Sequence, residues 1–204
     1  MAPLKSAYVM VATAAIVATV APLSAQPLRY EYCTTGFSAY GILDELPVYD
    51  RSGAEIGRTQ DLLIDHDGTV HHLEINRGGL LPDAYYFPWA DVEIGETWVR
   101  ALGEGSDQLL EDDGLLVSSA DLIGTLVRTS AEQGLTEFGV VDDLLLNLDT
   151  VEAVVIRPNL GLGLASKYAV PFNLVALRDP DLAQPGFDLL FDDDEVRDIG
   201  AFEC

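Results

Sequence analysis

Three histidines crowd one short stretch of this chain, His66, His71 and His72, with Asp65 and Asp67 among them. Imidazole plus carboxylate is the donor set of a transition-metal site. Geometry argues against one here, because adjacent strand residues point to opposite faces and His71 and His72 cannot then reach the same ion. Asp65, Asp67 and Gly68 also open like an EF-hand loop, but Asn76 stands where the twelfth-position acid is needed and a strand pattern follows at once. A hairpin turn accounts better for Asp-His-Asp-Gly. Gly161, Gly163 and Ala165 superficially match a dinucleotide-binding loop, yet Lys167, Tyr168, Val170 and Pro171 resume a strand where that motif requires a helix. No HExxH, paired-cysteine motif or glycine-flanked serine elbow occurs. The expectation is a protein without catalytic residues, cofactor or resident metal.

One carboxylate does recur at matched places, Asp61 and Asp143, because the segment that holds it is duplicated. GRTQDLLIDHDGTVHHLEI from Gly57 returns as GVVDDLLLNLDTVEAVVI from Gly139. Gly57, Asp61, Leu62 and Leu63 match Gly139, Asp143, Leu144 and Leu145. With one residue dropped in the second turn, Val70, Leu73 and Ile75 match Val151, Val154 and Ile156, and Phe87-Pro88-Trp89 matches Val170-Pro171-Phe172. A unit of about 55 to 60 residues in two copies is too long and too few for a stacked array, so each copy reads as a small domain. The matched aspartates could share a function, but a strand-edge carboxylate accepting a turn N–H is the simpler cause. His71 aligns with Glu152, which puts His71 at a wet rim.

Within each copy, apolar runs of three to six residues are separated by turn chemistry such as DHDG, NRGG and NLDT. Helical periodicity over a dozen residues is missing. The expected fold is all-β, two tandem small barrels that close on themselves and so remove exposed edges. Their bounds are read as 46–100 and 118–178. A lead segment covers 26–45, a glycine-rich acidic linker 101–117 and an acidic tail 179–204, whose Phe187, Leu189, Leu190, Phe191, Ile199 and Phe202 could pack on a barrel.

Residues 1–25 read as a secretory signal peptide. Lys5 precedes an apolar run from Ala7 to Val20, then Pro22, with small residues at Ser24 and Ala25 before the expected cleavage. The alternative is a retained anchor, and the folded part is exported either way. A periplasmic or secreted protein, not embedded in the membrane once mature, is expected. Cys33 and Cys204, the two cysteines of the chain, are expected to pair in that oxidising compartment. The loop would enclose nearly the whole mature chain and contribute at most about 5 kcal/mol. Two free thiols are the other possibility.

The chain carries 34 acidic and 11 basic residues, a formal net charge of −23, and loses only Lys5 with the leader. Nucleic-acid binding, which needs lysine and arginine against phosphates, is excluded as an expectation. Anionic lipid headgroups are disfavoured too. A basic protein or a divalent cation stays open as a partner, as does the plain reading that the acids serve solubility.

The succession of Val48, a turn at Arg51 to Ala54, Ile56-Gly57, a strand ending LLID, an Asp-Gly turn, an apolar strand and an aromatic-Pro-aromatic element resembles a PRC-barrel domain. The second copy resembles it as well, through Asp121 to Gly124, Phe138-Gly139, DLLL and VPFNLVAL. Within it, GLTEFG adds about three residues to the first hairpin. The resemblance implies a small β-barrel used mainly as a non-catalytic interaction module, with no catalytic residue to carry over. Aromatic side chains are enriched at the centres of interfaces. Tyr85, Tyr86, Trp89 and Trp98, with Asp192, Asp193, Asp194 and Glu195 of the tail, are therefore the candidate interaction surface. The function expected is docking to another protein of the bacterial envelope; cation binding by the acidic tail and turns is the alternative, and an enzyme of unknown type is last.

Overall fold

A computed structural model describes residues 37–78, 84–109, 116–131, 134–159, 167–178, 186–190 and 202. The leader, Cys33, Cys204, the Gly161–Ala165 stretch and the acids 192–195 lie outside the described residues.

The chain enters as β1 (Phe37–Ser38) and one helical turn, α1 (Ala39–Ile42). Then come β2 (Pro47–Tyr49), β3 (Glu55–Ile64), β4 (Val70–Asn76), β5 (Ala84–Pro88), a 3-10 turn at Trp89–Asp91, β6 (Val92–Ile94) and β7 (Val99–Ala101). The series repeats as β8 (Val117–Ser118), α2 (Ser119–Leu122), β9 (Leu126–Ala131), β10 (Gly134–Asn147), β11 (Thr150–Pro158) and β12 (Tyr168–Pro171). A 3-10 turn at Phe172–Leu174, β13 (Val175–Leu177) and β14 (Gly186–Leu189) complete it. The expected architecture holds: the protein is mostly β, in two seven-stranded sheets that form two small barrel-like units. Strand order is the same in both, β5-β4-β3-β2-β7-β6 and β12-β11-β10-β9-β14-β13, with β2·β7 and β9·β14 the parallel pairs.

β14 falls in the stretch read as acidic tail, yet it occupies the place of β7 in its unit. Phe187 and Leu189 supply the reason, since both are buried in the core. The three residues added to the second unit lengthen its first hairpin, pairing Gly134–Glu137 with Arg128–Ala131. The glycine common to both copies has a steric cause. A Cβ on Gly57 would lie 2.6 Å from the Asn76 carbonyl oxygen, and one on Gly139 would lie 2.3 Å from that of Arg157.

Alternation places the core. Leu73 and Ile75 of β4 are buried, while His72, Glu74 and Asn76 between them face outward and stay half-buried. β11 breaks the alternation, because Ala153 and Val155 on its outer face are also buried. Phe202 packs over them together with Leu145 and Ala169. An outer face that is apolar in one unit and polar in the other is the main difference between the copies.

The units are interlocked. β1 pairs with β10, Phe37 opposite Leu146 and Ser38 opposite Leu145, and β8 pairs with β3, Leu63 opposite Ser118 and Ile64 opposite Val117. Each unit's opening strand therefore lies on the other unit's sheet. The two long hairpins also meet at their tips: Thr69 bridges Thr150, Val70 N–H donates to Asp149 O at 2.7 Å, and Val151 N–H donates to Gly68 O at 2.8 Å. These reciprocal bonds describe a pseudo-twofold relation, and one apolar core runs through residues of both units.

Candidate functional site

The duplicated aspartates sit at that seam. Asp61 is 7% exposed, and its Oδ1 accepts from Leu62 N–H at 2.7 Å, from Ser119 Oγ–H at 2.9 Å and from Ala120 N–H at 3.0 Å. Asp143 Oδ1 accepts from Leu144 N–H at 2.8 Å and Tyr40 N–H at 2.9 Å, while its Oδ2 takes the Ser38 hydroxyl. Each carboxylate accepts the N–H of the next residue in its own strand, where the sequence pattern predicts a turn N–H. It also holds the first turn of the helix arriving from the other unit, where unpaired N–H groups and the helix dipole both favour an anion. Ser38 and Ser118 complete the matched caps by accepting from Gly41 and Asp121 N–H.

Asp65 organises the Asp-His-Asp-Gly hairpin. Its Oδ1 accepts from Asp67 and Thr69 N–H, both at 2.9 Å, and its Oδ2 meets His71 Nε2 at 2.9 Å. Gly68 supplies the positive φ of the turn, +83°. Burial pushes the Asp65 carboxyl pKa up, but the His71 contact and the two N–H bonds outweigh it and hold the pKa below the ordinary value. In the second unit Asn147 and Glu152 make the equivalent cross-strand contact. His71 is thus a partly exposed rim residue with a carboxylate partner. Among the described residues, no group of three or more His, Cys, Asp or Glu side chains is placed to share a metal ion.

The four aromatics named from the sequence separate. Tyr85 lines the mouth of the first barrel, its hydroxyl donating to Gly105 O at 2.7 Å and its ring edge-on to Phe87. Tyr86, one residue on, takes the opposite face and pairs through its backbone with Ser106. Trp89 crosses the seam and its indole N–H donates to Leu148 O at 2.9 Å. Trp98 stays on the β6–β7 hairpin under the Arg100 guanidinium.

Tyr86 lies in a cross-strand row with Asp61 and Glu74. Burial raises the Glu74 carboxyl pKa and the Asp61 charge adds to it, while burial and then the two carboxylates raise the Tyr86 phenol. A folded-state pKa above the unfolded one means that the folded protein binds this proton more tightly. Ionised Glu74 therefore opposes folding at neutral pH, and acidification relieves it. Glu74→Gln should raise the melting temperature at neutral pH, with the gain shrinking as pH falls toward about 4, the usual glutamate range. Melting curves at the two pH values check this; a gain that does not depend on pH would refute it.

Sequence reasoning missed three residues of a further surface. Phe37, Tyr40 and Leu148 are 40%, 62% and 77% exposed. All three border the seam, Phe37 opposite Leu146, Tyr40 bonded to Asp143, and Leu148 two residues beyond Leu146 on the β10–β11 turn against Trp89. Leu148 also has a positive φ, 56°. A leucine there costs about 1–2 kcal/mol relative to a residue suited to the left-handed region. The available signal was a leucine in the Asn-Leu-Asp-Thr turn.

The fold and seam define a class, a duplicated small β-barrel whose copies exchange their first strands. In comparison with known families, the PRC-barrel domain matches residues 37–104, about a third of the chain. That match begins at β1 and ends just after β7, so it covers the first unit's whole strand series. A comparison with curated proteins finds no match. Among the described residues no helix is long and apolar enough to cross a membrane.

Proposed function

We propose that this chain is an exported, non-catalytic docking module built from two PRC-barrel-like units, which binds another envelope protein through the ridge of Phe37, Tyr40 and Leu148 beside Trp89. The observation that carries the reading is Leu148, since a strained backbone at a largely exposed leucine serves neither solubility nor turn formation. Contact with a partner supplies the missing reason. Both units contribute to the ridge, so the fused pair offers a surface that one barrel alone would lack.

Capture from the native periplasm with the tagged, full-length chain tests the proposal. Leu148→Asn should raise stability by about 1 kcal/mol, because asparagine tolerates the left-handed region, and should lose the captured partner. Tyr40→Asp should lose it as well, at an unchanged melting temperature. Undiminished capture by both variants would overturn the docking surface. N-terminal sequencing of the purified protein tests export, with a new terminus near Ala25 as the expected result.

A further inference from the structure

We infer that the mouth of the first barrel is a binding pocket for a monocarboxylate carrying an aromatic or branched apolar group. The cleft holds about 570 Å³ and is lined by Ile56, Tyr85, Phe87 and Ala101 below and by Arg51 and Arg77 at the rim. That volume is within the usual range of small-molecule pockets, and an apolar floor with a few placed polar groups is their usual chemistry.

The duplication supplies the control. By register, the places of Ile56, Tyr85, Phe87 and Ala101 are taken in the second unit by Phe138, Tyr168, Val170 and Leu189. All four of those are buried, Phe138 at 1% and Leu189 at 2% exposure, whereas Ile56 and Tyr85 in the first unit are only half-buried. Phe138 packs edge-on against Tyr168, so the second mouth is closed by its own ring. With isoleucine and alanine at the matching positions, the first mouth has room for a ring from outside.

Its walls are fixed in advance. The Tyr85 hydroxyl is held by Gly105 O, its ring meets Phe87 with centroids 5.3 Å apart, and the Arg77 guanidinium lies 4.1 Å from the Tyr85 ring centroid. A Cβ at Gly105 would come within 2.2 Å of the Tyr85 ring, so the glycine lets the backbone lie against this wall. Arg51 is exposed on the turn that Asp50 closes, where Asp50 Oδ1 accepts from Ser52 N–H, the Ser52 hydroxyl and Ala54 N–H. Asp50 is thereby committed to its own turn, leaving Arg51 to meet an incoming carboxylate, a charge-assisted contact that guanidinium favours. Asp50 and Glu104 line the same cleft, so two carboxylates already balance its two guanidinium groups, and a ligand with more than one negative charge is disfavoured.

Such a group could be a free small acid or the C-terminus of a polypeptide ending in an apolar residue. Titration of the mature full-length chain, followed by amide NMR, uses N-acetylphenylalanine, its primary amide and a hexapeptide ending in phenylalanine. Saturable shifts at Ile56, Tyr85 and Gly105 are expected with the acid, with binding about tenfold weaker for the amide and for Arg51→Gln, as loss of one charge-assisted bond implies. Ile56→Phe should abolish binding and keep its fold, because the second unit already holds phenylalanine at that place. A hexapeptide that binds more tightly than the acid points to a chain terminus, and equal binding to a free acid; both support the pocket. No saturable shift up to about 10 mM, well above a millimolar dissociation constant, overturns the inference. So does equal binding of acid and amide, or undiminished binding by Ile56→Phe.

Discussion

Produced as two separate pieces, residues 37–109 and 116–204, the chain should give halves that are each unfolded alone and fold when mixed. The reason is the exchange of opening segments. The first piece keeps β3 but loses β8 and α2, which pair with and lie against it; the second keeps β10 but loses β1 and α1. Each would expose core positions that the intact chain covers, and Ala39, Ile42, Val117 and Leu122 in the exchanged segments are at most 5% exposed. A fully buried aliphatic side chain contributes about 1.5–3 kcal/mol. Losing two or three of them, the aspartate-held helix turns and the hairpin-tip bonds exhausts the 5–15 kcal/mol that a typical domain has in total. Circular dichroism of each piece, then of the equimolar mixture, reads the result. Two pieces that each unfold cooperatively on their own would show that the exchange is dispensable.

That interlocking also marks where the sequence stops being informative. Strands, turns and the duplication were legible because alternation, Asp-Gly chemistry and the shared Gly57 and Gly139 are local, and each has a local physical cause. That Asp61 and Asp143 accept backbone N–H groups was legible for the same reason, but not that those groups lie in their own strands and in the other unit's helical turn. The exchange was not. Phe37–Leu43 and Val117–Ile123 fit the same template, and either sheet would accept either one, so local pattern cannot assign the segment to its own unit or to the neighbour. Phe202 presents the same difficulty. Its packing on a barrel was legible from its apolar type, but not that it turns the outer face of β10, β11 and β12 into a small second core. The grouping of Tyr85, Tyr86, Trp89 and Trp98 rested on closeness in sequence, whereas strand alternation sends Tyr85 and Tyr86 to opposite faces. For β14, the packing of Phe187 and Leu189 on a barrel was legible, but the acids around them hid that they form a strand in the place of β7.

The copies agree where the fold needs them to and differ at surfaces. Leu63, His72, Glu74 and Tyr86 on the first unit match Leu145, Ala153, Val155 and Ala169 on the second by register. Glu74 therefore bears a desolvation cost that its counterpart Val155 avoids. Both the polar face and the open mouth belong to the first unit, the part that the PRC-barrel family matches. In the second unit the same two places are filled by Phe202 and Phe138. The polar face and the open mouth are thus confined to the first unit, whereas the exposed row of Phe37, Tyr40 and Leu148 draws on both.

Asp61→Ala should be the most damaging single substitution at the seam, at about 3 kcal/mol. Its Oδ1 serves three donors, and two of them, Ser119 Oγ and Ala120 N–H, come from the other unit. Ser119 is fully buried, so its hydroxyl cannot turn to water when the carboxylate is removed. Hydrogen bonds to a charged group contribute about 1.5–3 kcal/mol each, and a buried donor left unpaired costs about 1–3 kcal/mol. Asp143 makes the matched backbone bonds and takes a hydroxyl from the cap Ser38 instead, but it is more exposed and Tyr40 beside it faces solvent. Water can replace part of what is lost, and Asp143→Ala should cost about half as much. At roughly 2–4 °C per kcal/mol for a chain of this size, the two variants separate clearly in a melting experiment. The double variant Asp61→Ala, Ser119→Ala tests the assignment: the two side chains share one hydrogen bond and both accept from Leu62 N–H, so the double variant should cost less than the sum of the two single ones. If Asp61→Ala and Asp143→Ala prove equally mild, the carboxylates are surface turn acceptors and the seam is held by the apolar core.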